Sequence, residues 1–394
     1  MKLRGLKQAQ IRPGTIVLVR VDWNVPIGPD GQVDRIEDYK IQRCTPTLEW
    51  LLKRKARLIL ATHLGRPQGK PDKRFVLHPV KRRGQYLLGR PIHYIHDVRK
   101  DAVMKALDHT YPFGIVLVEN LRFYPGEEKN DRAFARELAS CAQVYVNNAF
   151  GVSHRAHASV EAITHVLPSY AGRLLEEEVH HLDQALHHVR HPYVVLMGGA
   201  KIRGKIDLVK QLSSRADTMA LGGGIATTVL GCNGKEVGRS LSEHREADMC
   251  VLVKSQQRKK HFLLPTDVVV ANDLKSKKTQ IRSIDHIQSN DIIGDLGPSS
   301  TRTIIEEIKK AKMIVWNGPM GYTENPAFDV ASRKIAQGVA RSKAYSLAGG
   351  GESVSLLVRY GVVNKLSFVS TGGGAMLEYL EGRKLPGVEA LRTR

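Results

Sequence analysis

Five stretches in the second half of this chain place glycines directly after a short apolar run: LMGGAK (196–201), LGGGIA (221–226), WNGPMG (316–321), AGGGES (348–353) and STGGGA (370–375). A glycine there lets backbone N–H groups approach an anion closely, and a following helix adds its positive end. One such turn is weak evidence. Five in one half predict a single crowded, phosphate-binding rim. Lys201 and Lys205 lie four apart, hence on one helical face, where two ammonium groups could meet a polyphosphate. Two solvated surface lysines would look the same. The stretch from Gly199 to Lys205 also fits GxxxxGK, but Ile206 stands where a P-loop requires Ser or Thr, so no P-loop is expected.

The first half ends its apolar runs in charged and amide groups: RVDWN (20–24), THLGRP (62–67), ENLRF (119–123) and VNNAFGVSHRAH (146–157). Guanidinium groups grip phosphate and carboxylate in a fork, so this set suits a small, strongly anionic substrate. Taken singly, a strand-end arginine is more often a surface charge, and an aspartate such as Asp22 more often caps a turn. The weight lies in the set.

These groups need elements to hold them. Runs that read as strands fall at 15–21, 57–62, 114–119, 144–147, 193–197, 218–221, 313–316, 345–348 and 367–370. Segments of helical period lie between them, as at 45–55, 132–141 and 306–312, and this alternation predicts an α/β protein with parallel sheets. A chain of 394 residues suits two domains of roughly 150–200 residues each. The expected fold is two doubly wound, Rossmann-like domains joined by a linker helix across a cleft. Residues 1–171 would hold the anionic substrate and 191–381 the nucleotide, with 172–190, helical throughout, as the linker.

Composition narrows the partners. The net charge is +21, and residues 51–100 alone hold 14 Lys/Arg against 2 Asp/Glu. Such a field attracts nucleic acid, anionic lipid or small polyanions. No stacking aromatics interleave the basic residues, so phosphorylated small molecules are the expected partners. Nucleic-acid binding through 51–100 and the Arg258-Lys259-Lys260 run stands only as a secondary activity. No stretch reaches the ~18–20 apolar residues of a membrane span, and the first residues lack the apolar core of a signal peptide. A cytoplasmic protein is expected. Cys44, Cys141, Cys232 and Cys250 lie far apart without a CxxC pair, so four free thiols are expected rather than a disulfide or zinc site. His180, His181, His187, His188 and His191 read as a solvated helix face.

Taken in order, RVDWNVP, THLGRP, ENLRF, AFGVSHRAH, GGAKIRGK, GGGIA, WNGPMG, GGGES and STGGGA resemble the signature set of phosphoglycerate kinases, from about residue 15 to the closing LEGRKLPGVEAL. The resemblance implies reversible phosphoryl transfer between ATP and 3-phosphoglycerate, with Mg²⁺ carried on the nucleotide, by a monomer. It further implies that Asp22 and Asn24 hold the hydroxyl and carboxylate end of 3-phosphoglycerate, and that His63, Arg66, Arg122 and Arg155 grip its phosphate. Lys201 would follow the transferring phosphoryl group and Lys205 the nucleotide phosphates. Gly199, Gly222 and Gly223 would wall the adenine pocket with Pro319 and Tyr322, Glu324 would take the ribose hydroxyls, and Ala200 and Asn317 would also bind the nucleotide. Gly350, Gly351, Glu352 and Ser353 would meet the phosphates and Mg²⁺, with Glu352 as metal ligand. Catalysis would rest on Lys40, Lys201, Gly351 and Gly373, with Gly372 and Gly374 alongside. The segment 382–394 would return to the first domain, and hinges are expected in the linker and at 149–152.

Three positions depart from the family pattern. Lys40 stands where the family's first helix begins with arginine, with Arg35 and Arg43 nearby and the Pro46-Thr47 pair favouring Lys40 as the equivalent. Lysine keeps the charge but loses the planar fork. Glu352 replaces aspartate, and Asn148 replaces the aspartate of N-D-A-F-G. A working kinase with altered kinetics is the expected outcome. The alternative is an impaired relative that senses ATP or 3-phosphoglycerate without turnover.

Overall fold

The structure is a computed structural model, and it describes residues 2–110, 112–200, 203–244, 250–251, 253–255 and 261–393. The chain divides into two compact units, Met1–His180 with Arg383–Arg394, and His181–Gly382. The division falls inside the helix Arg173–His187.

The first unit is built on a parallel sheet of β1 (Ile16–Arg20), β2 (Arg57–Ala61), β3 (His93–Tyr94), β4 (Ile115–Leu117), β5 (Val144–Asn147) and β6 (Ser169–Ala171), in the order β3-β4-β2-β1-β5-β6. Every residue of β1 is buried, because helices cover both faces of the sheet. Strand connections run one way from β1 to β2 and the other way to β5, so the sheet is doubly wound. Its switch point lies at the carboxyl ends of β1 and β5, where such folds bind ligands. The terminal segments meet in this unit, with the Arg4 N–H donating to the Leu391 carbonyl at 2.9 Å.

The helix Tyr39–Leu52 starts six residues before the expected 45 and runs through Pro46. Proline cannot donate to the Gln42 carbonyl, and the Thr45 hydroxyl does so instead at 2.8 Å. The extra turn matters because it carries Lys40.

The second unit holds β7 (Tyr193–Met197), β8 (Thr218–Leu221), β9 (His261–Leu263), β10 (Asp267–Ala271), β11 (Gln280–Ser283), β12 (Ile292–Leu296), β13 (Met313–Asn317), β14 (Tyr345–Gly349) and β15 (Phe368–Ser370). A parallel sheet runs β15-β14-β13-β7-β8-β9, reversing direction between β7 and β13. The expected pair of doubly wound sheets is therefore present. An antiparallel sheet, β11-β10-β12, was not foreseen.

The cysteine expectation needs correcting. Cys232, the last residue of the helix Gly223–Cys232, is disulfide-bonded to Cys250, while Cys44 and Cys141 are free and buried. Spacing of 18 residues carries no motif, and only the chain reversal after that helix brings the two sulfurs together. Of the five histidines, four are exposed, but His181 is half-buried and stacks on Phe368 with ring centroids 4.2 Å apart.

Candidate functional site

In the first unit the polar residues that follow β1, β2, β4 and β5 converge. Asp22, Asn24, Lys40, His63, Gly65, Arg66, Arg122, Gly151, Val152, His154 and Arg155 line one cleft of about 190 Å³. Every anion-binding residue expected in the first half is in this wall. Lys40 reaches it from the first turn of its helix, its Nζ donating to Asp22 Oδ2 at 2.9 Å. Arg43, one turn on, instead pairs with Glu177 at 2.6 Å. The Asn24 carboxamide oxygen accepts from the Gly65 N–H at 2.9 Å, and Arg122 Nη1 donates to the Gly65 carbonyl at 2.6 Å. The turn between His63 and Arg66 is thus pinned from both sides.

The cleft is strongly cationic, and His63 on its wall resists protonation. Burial first, then Arg20, Arg122, Lys40 and His157, pushes His63 well below the usual imidazole range. Burial and the same arginines take His157 down to about 3. Lys40, Arg66, Arg122 and Arg155 therefore supply the charge and the imidazole supplies directed hydrogen bonding. This arrangement can hold a small dianion or trianion and pay little reorganisation on binding.

Several contributors escaped the sequence. Gly65, Gly151, Val152 and His154 also line the cleft, and Arg20, Glu127, His157 and Ser159 support it from behind. The signal available for Arg20 was an arginine closing an otherwise apolar strand. Asn148 joins elements rather than lining the cleft: its Oδ1 accepts from Thr47 Oγ1 at 2.8 Å and from the Leu174 N–H at 3.2 Å.

In the second unit the glycine turns gather at the carboxyl ends of β7, β8, β13, β14 and β15, and those after β8, β14 and β15 open directly into helices. The switch point is tight. The Gly198 N–H donates to the Asn317 carbonyl at 2.9 Å, Gly199 N–H to Pro319 at 2.8 Å, and Gly223 N–H to Met320 at 2.9 Å. Gly199, Gly223, Gly318, Gly350 and Gly373 have positive φ. At Gly224 a Cβ would sit 2.0 Å from the Ala200 carbonyl oxygen, so only glycine allows this approach. Lys205 Nζ donates to the Gly198 carbonyl at 2.7 Å. Burial pushes its ammonium down to about 8, with Glu352 opposing the shift. Ser353 Oγ accepts from the Gly318 N–H at 2.8 Å, and Asn317 Nδ2 donates to the Gly349 carbonyl at 2.8 Å. The buried Asn317 Oδ1 has no hydrogen-bond partner among the described residues. Gly222 caps its helix, Glu352 lies exposed in the first turn of the helix Gly351–Arg359, and Tyr322 and Glu324 are exposed on the loop after β13. Lys201 lies outside the described residues, as does the 258–260 run.

The first unit thus carries a cationic cleft and the second a glycine-lined rim of amides, each at the strand ends of a doubly wound sheet. The family model for phosphoglycerate kinase matches residues 6–383. Phosphoglycerate kinases of Moorella thermoacetica and Zymomonas mobilis are 42% and 41% identical, covering 96% and 100% of both chains. Among solved structures, phosphoglycerate kinase from Coxiella burnetii aligns with a TM-score of 0.84 at 35% identity over 99% of both chains. That from Pyrococcus horikoshii OT3 gives 0.86 at 26%, over 99% of this chain and 98% of the other. The chain belongs to the phosphoglycerate kinase family.

Proposed function

We propose that the protein transfers a phosphoryl group reversibly between ATP and 3-phosphoglycerate, as the resemblance of its motifs implies. The observation that carries this is the convergence of Asp22, Asn24, Lys40, His63, Arg66, Arg122 and Arg155 on one cleft. We assign 3-phosphoglycerate to residues 1–171 with 382–394, the nucleotide to 191–381, and the linker to 172–190. Asp22 and Asn24 would hold the hydroxyl and carboxylate end, and His63, Arg66, Arg122 and Arg155 the phosphate. On the other unit, Gly199, Gly222, Gly223, Pro319 and Tyr322 would receive adenine, Glu324 the ribose, and Lys205 with 350–353 the phosphates, with Ala200 and Asn317 also against the nucleotide. Lys201 keeps its family role in this proposal.

In the ATP-consuming direction a carboxylate oxygen of 3-phosphoglycerate attacks the γ-phosphorus. The new O–P bond forms as the bond to the β-phosphate oxygen breaks, ADP leaves with that electron pair, and no proton transfer is required. Lys40 on one side and the amides of Gly351 and Gly373 on the other would neutralise charge on the three equatorial oxygens. Transfer needs the two ligands within bonding distance, for which 149–152 and the linker are the proposed hinges. Among the described residues no three His, Cys, Asp or Glu side chains are placed to hold a metal. A single exposed carboxylate beside Lys205 fits an ion carried largely by nucleotide phosphates, so Glu352 would hold Mg²⁺, which supplies charge neutralisation. The described residues include no helix long and apolar enough to cross a membrane. We propose a cytoplasmic monomer. The cation of Lys40 persists in the cleft, and nothing in the site favours a sensor over an enzyme.

The direct test is ADP formation from Mg-ATP with and without 3-phosphoglycerate, coupled to removal of the acyl phosphate. Acceptor-dependent turnover is the expected result; ligand binding without turnover would reject the kinase.

Lys205 adds a pH dependence. Its folded value of about 8 lies below the ordinary lysine value of 10.5, so the unfolded chain holds the extra proton between them. Folding stability from this group is therefore full above the unfolded value and is lost as pH falls to about 8. Ligand binding runs the other way, since only the ammonium attracts phosphate. ADP affinity, measured by calorimetry, is expected to weaken as pH rises through about 8, and Lys205→Arg to flatten that profile. A flat wild-type profile would separate Lys205 from the phosphates.

A further inference from the structure

We propose that Arg20 is a positioning residue that holds His63 as its neutral Nε2–H tautomer, so that the ring offers an N–H donor to the anion in the cleft. The inference rests on reading that cleft as the 3-phosphoglycerate site. Arg20 ends β1, while His63 lies two residues beyond Ala61, the partner of Arg20 in the β1–β2 register. Both side chains are buried, at 1% and 2% exposure.

Arg20 Nη2 lies 3.0 Å from His63 Nδ1. A guanidinium has donors only, so Nδ1 must accept. A neutral imidazole carries one ring proton, which is thereby confined to Nε2. A second proton on Nδ1 would face the cation head-on. Burial opposes charge on the ring, and Arg20, Arg122, Lys40 and His157 add to it, while Asp22, the acid that shares the cleft, is paired with Lys40 at 2.9 Å. His63 lines the cleft, and among the described residues its ring is hydrogen-bonded through Nδ1 only. The opposite tautomer would set a lone pair against the substrate's oxygens.

Arg20 is itself held rigidly. Its Nε donates to Ser159 Oγ at 2.9 Å and its Nη1 to the Val21 carbonyl at 2.5 Å. The Ser159 hydroxyl, accepting from Arg20, donates onward to Glu127 Oε1 at 2.6 Å, and the Ser159 N–H donates to Glu127 Oε2 at 2.9 Å. Glu127 is fully buried. Its charge balances Arg20 at one remove, which leaves Nη2 available to the histidine.

The test is nitrogen-15 NMR of the His63 ring in the full-length protein, assigned with His63→Gln, first without ligand. The expected signature is a protonated Nε2 and an unprotonated Nδ1, with no titration near the free-imidazole value of about 6.5. Adding 3-phosphoglycerate should shift the Nε2 resonance. In Arg20→Met the ring should populate both tautomers and titrate. The KM for 3-phosphoglycerate should rise on the order of tenfold, the worth of one charge-assisted hydrogen bond, while the KM for ATP stays put. A wild-type ring carrying its proton on Nδ1, or charged at neutral pH, overturns the proposal without any variant having to fold. The right tautomer with no response to 3-phosphoglycerate would instead overturn the substrate assignment of the cleft, which the ligand-free spectrum keeps distinguishable.

Discussion

Replacing Lys40 by methionine is expected to lower 3-phosphoglycerate-dependent turnover by about 10³-fold or more, the worth of a transition-state cation in phosphoryl transfer. Lys40 is the cation that the first turn of Tyr39–Leu52 delivers to Asp22, at 2.9 Å. Arg43 cannot substitute, because it is engaged by Glu177. The same change strips a nearly buried carboxylate of its ammonium partner, which should cost about 1–2 kcal/mol of stability. Lys40→Arg should raise turnover above wild type, since a planar fork can meet two phosphoryl oxygens where an ammonium meets one. The coupled assay at saturating Mg-ATP, with thermal unfolding alongside, checks both. If Lys40→Met keeps turnover within tenfold of wild type, this residue does not act on the transferring group.

Gly318→Ala is the second large effect. Gly318 closes β13 with φ of 84°, a region that penalises any side chain, and its Cβ would sit 2.2 Å from the Gly198 carbonyl oxygen. That carbonyl anchors Lys205 Nζ, which itself lies 2.9 Å from the same Cβ position. The methyl must therefore push backbone at the switch point of the second sheet. A loss of at least about 3 kcal/mol is expected, with nucleotide affinity falling by about 10²-fold or more. Gly351→Ala is the control. Nothing lies within 4 Å of its Cβ position, and its stability should stay within ~0.5 kcal/mol of wild type. Thermal unfolding and ADP calorimetry on the two variants decide the matter: a Gly318→Ala protein as stable as Gly351→Ala would show that the β7–β13 ends are looser than described.

Much of this protein is legible along the chain because its signals are local. Buried parallel strands such as Val144–Asn147 and Tyr193–Met197 stand out as short β-branched runs, and their bounds match the expected ones. The glycine turns are legible for a similar reason, since close backbone approach restricts residue type. Weakly patterned strands escaped: His93–Tyr94 has two residues and Gln280–Ser283 is largely polar and exposed, so neither leaves a hydrophobic period. Helical period reads only from 45, whereas the helix begins at Tyr39 and passes Pro46 because the Thr45 hydroxyl takes up the Gln42 carbonyl, a detail of geometry.

By itself, then, the sequence determined the α/β class, the glycine-rich and charged strand ends and the family, all of which rest on residue type and order. Tertiary structure decided which groups meet. It set Lys40 rather than Arg43 against Asp22, joined Arg20 to His63 across 43 residues, and closed Cys232 on Cys250. It also lowered Lys205 by burial and set buried His63 and His157 against protonation. Such facts depend on distance and on exclusion of water, and neither is a property of residue order until the sheets bring their strand ends together.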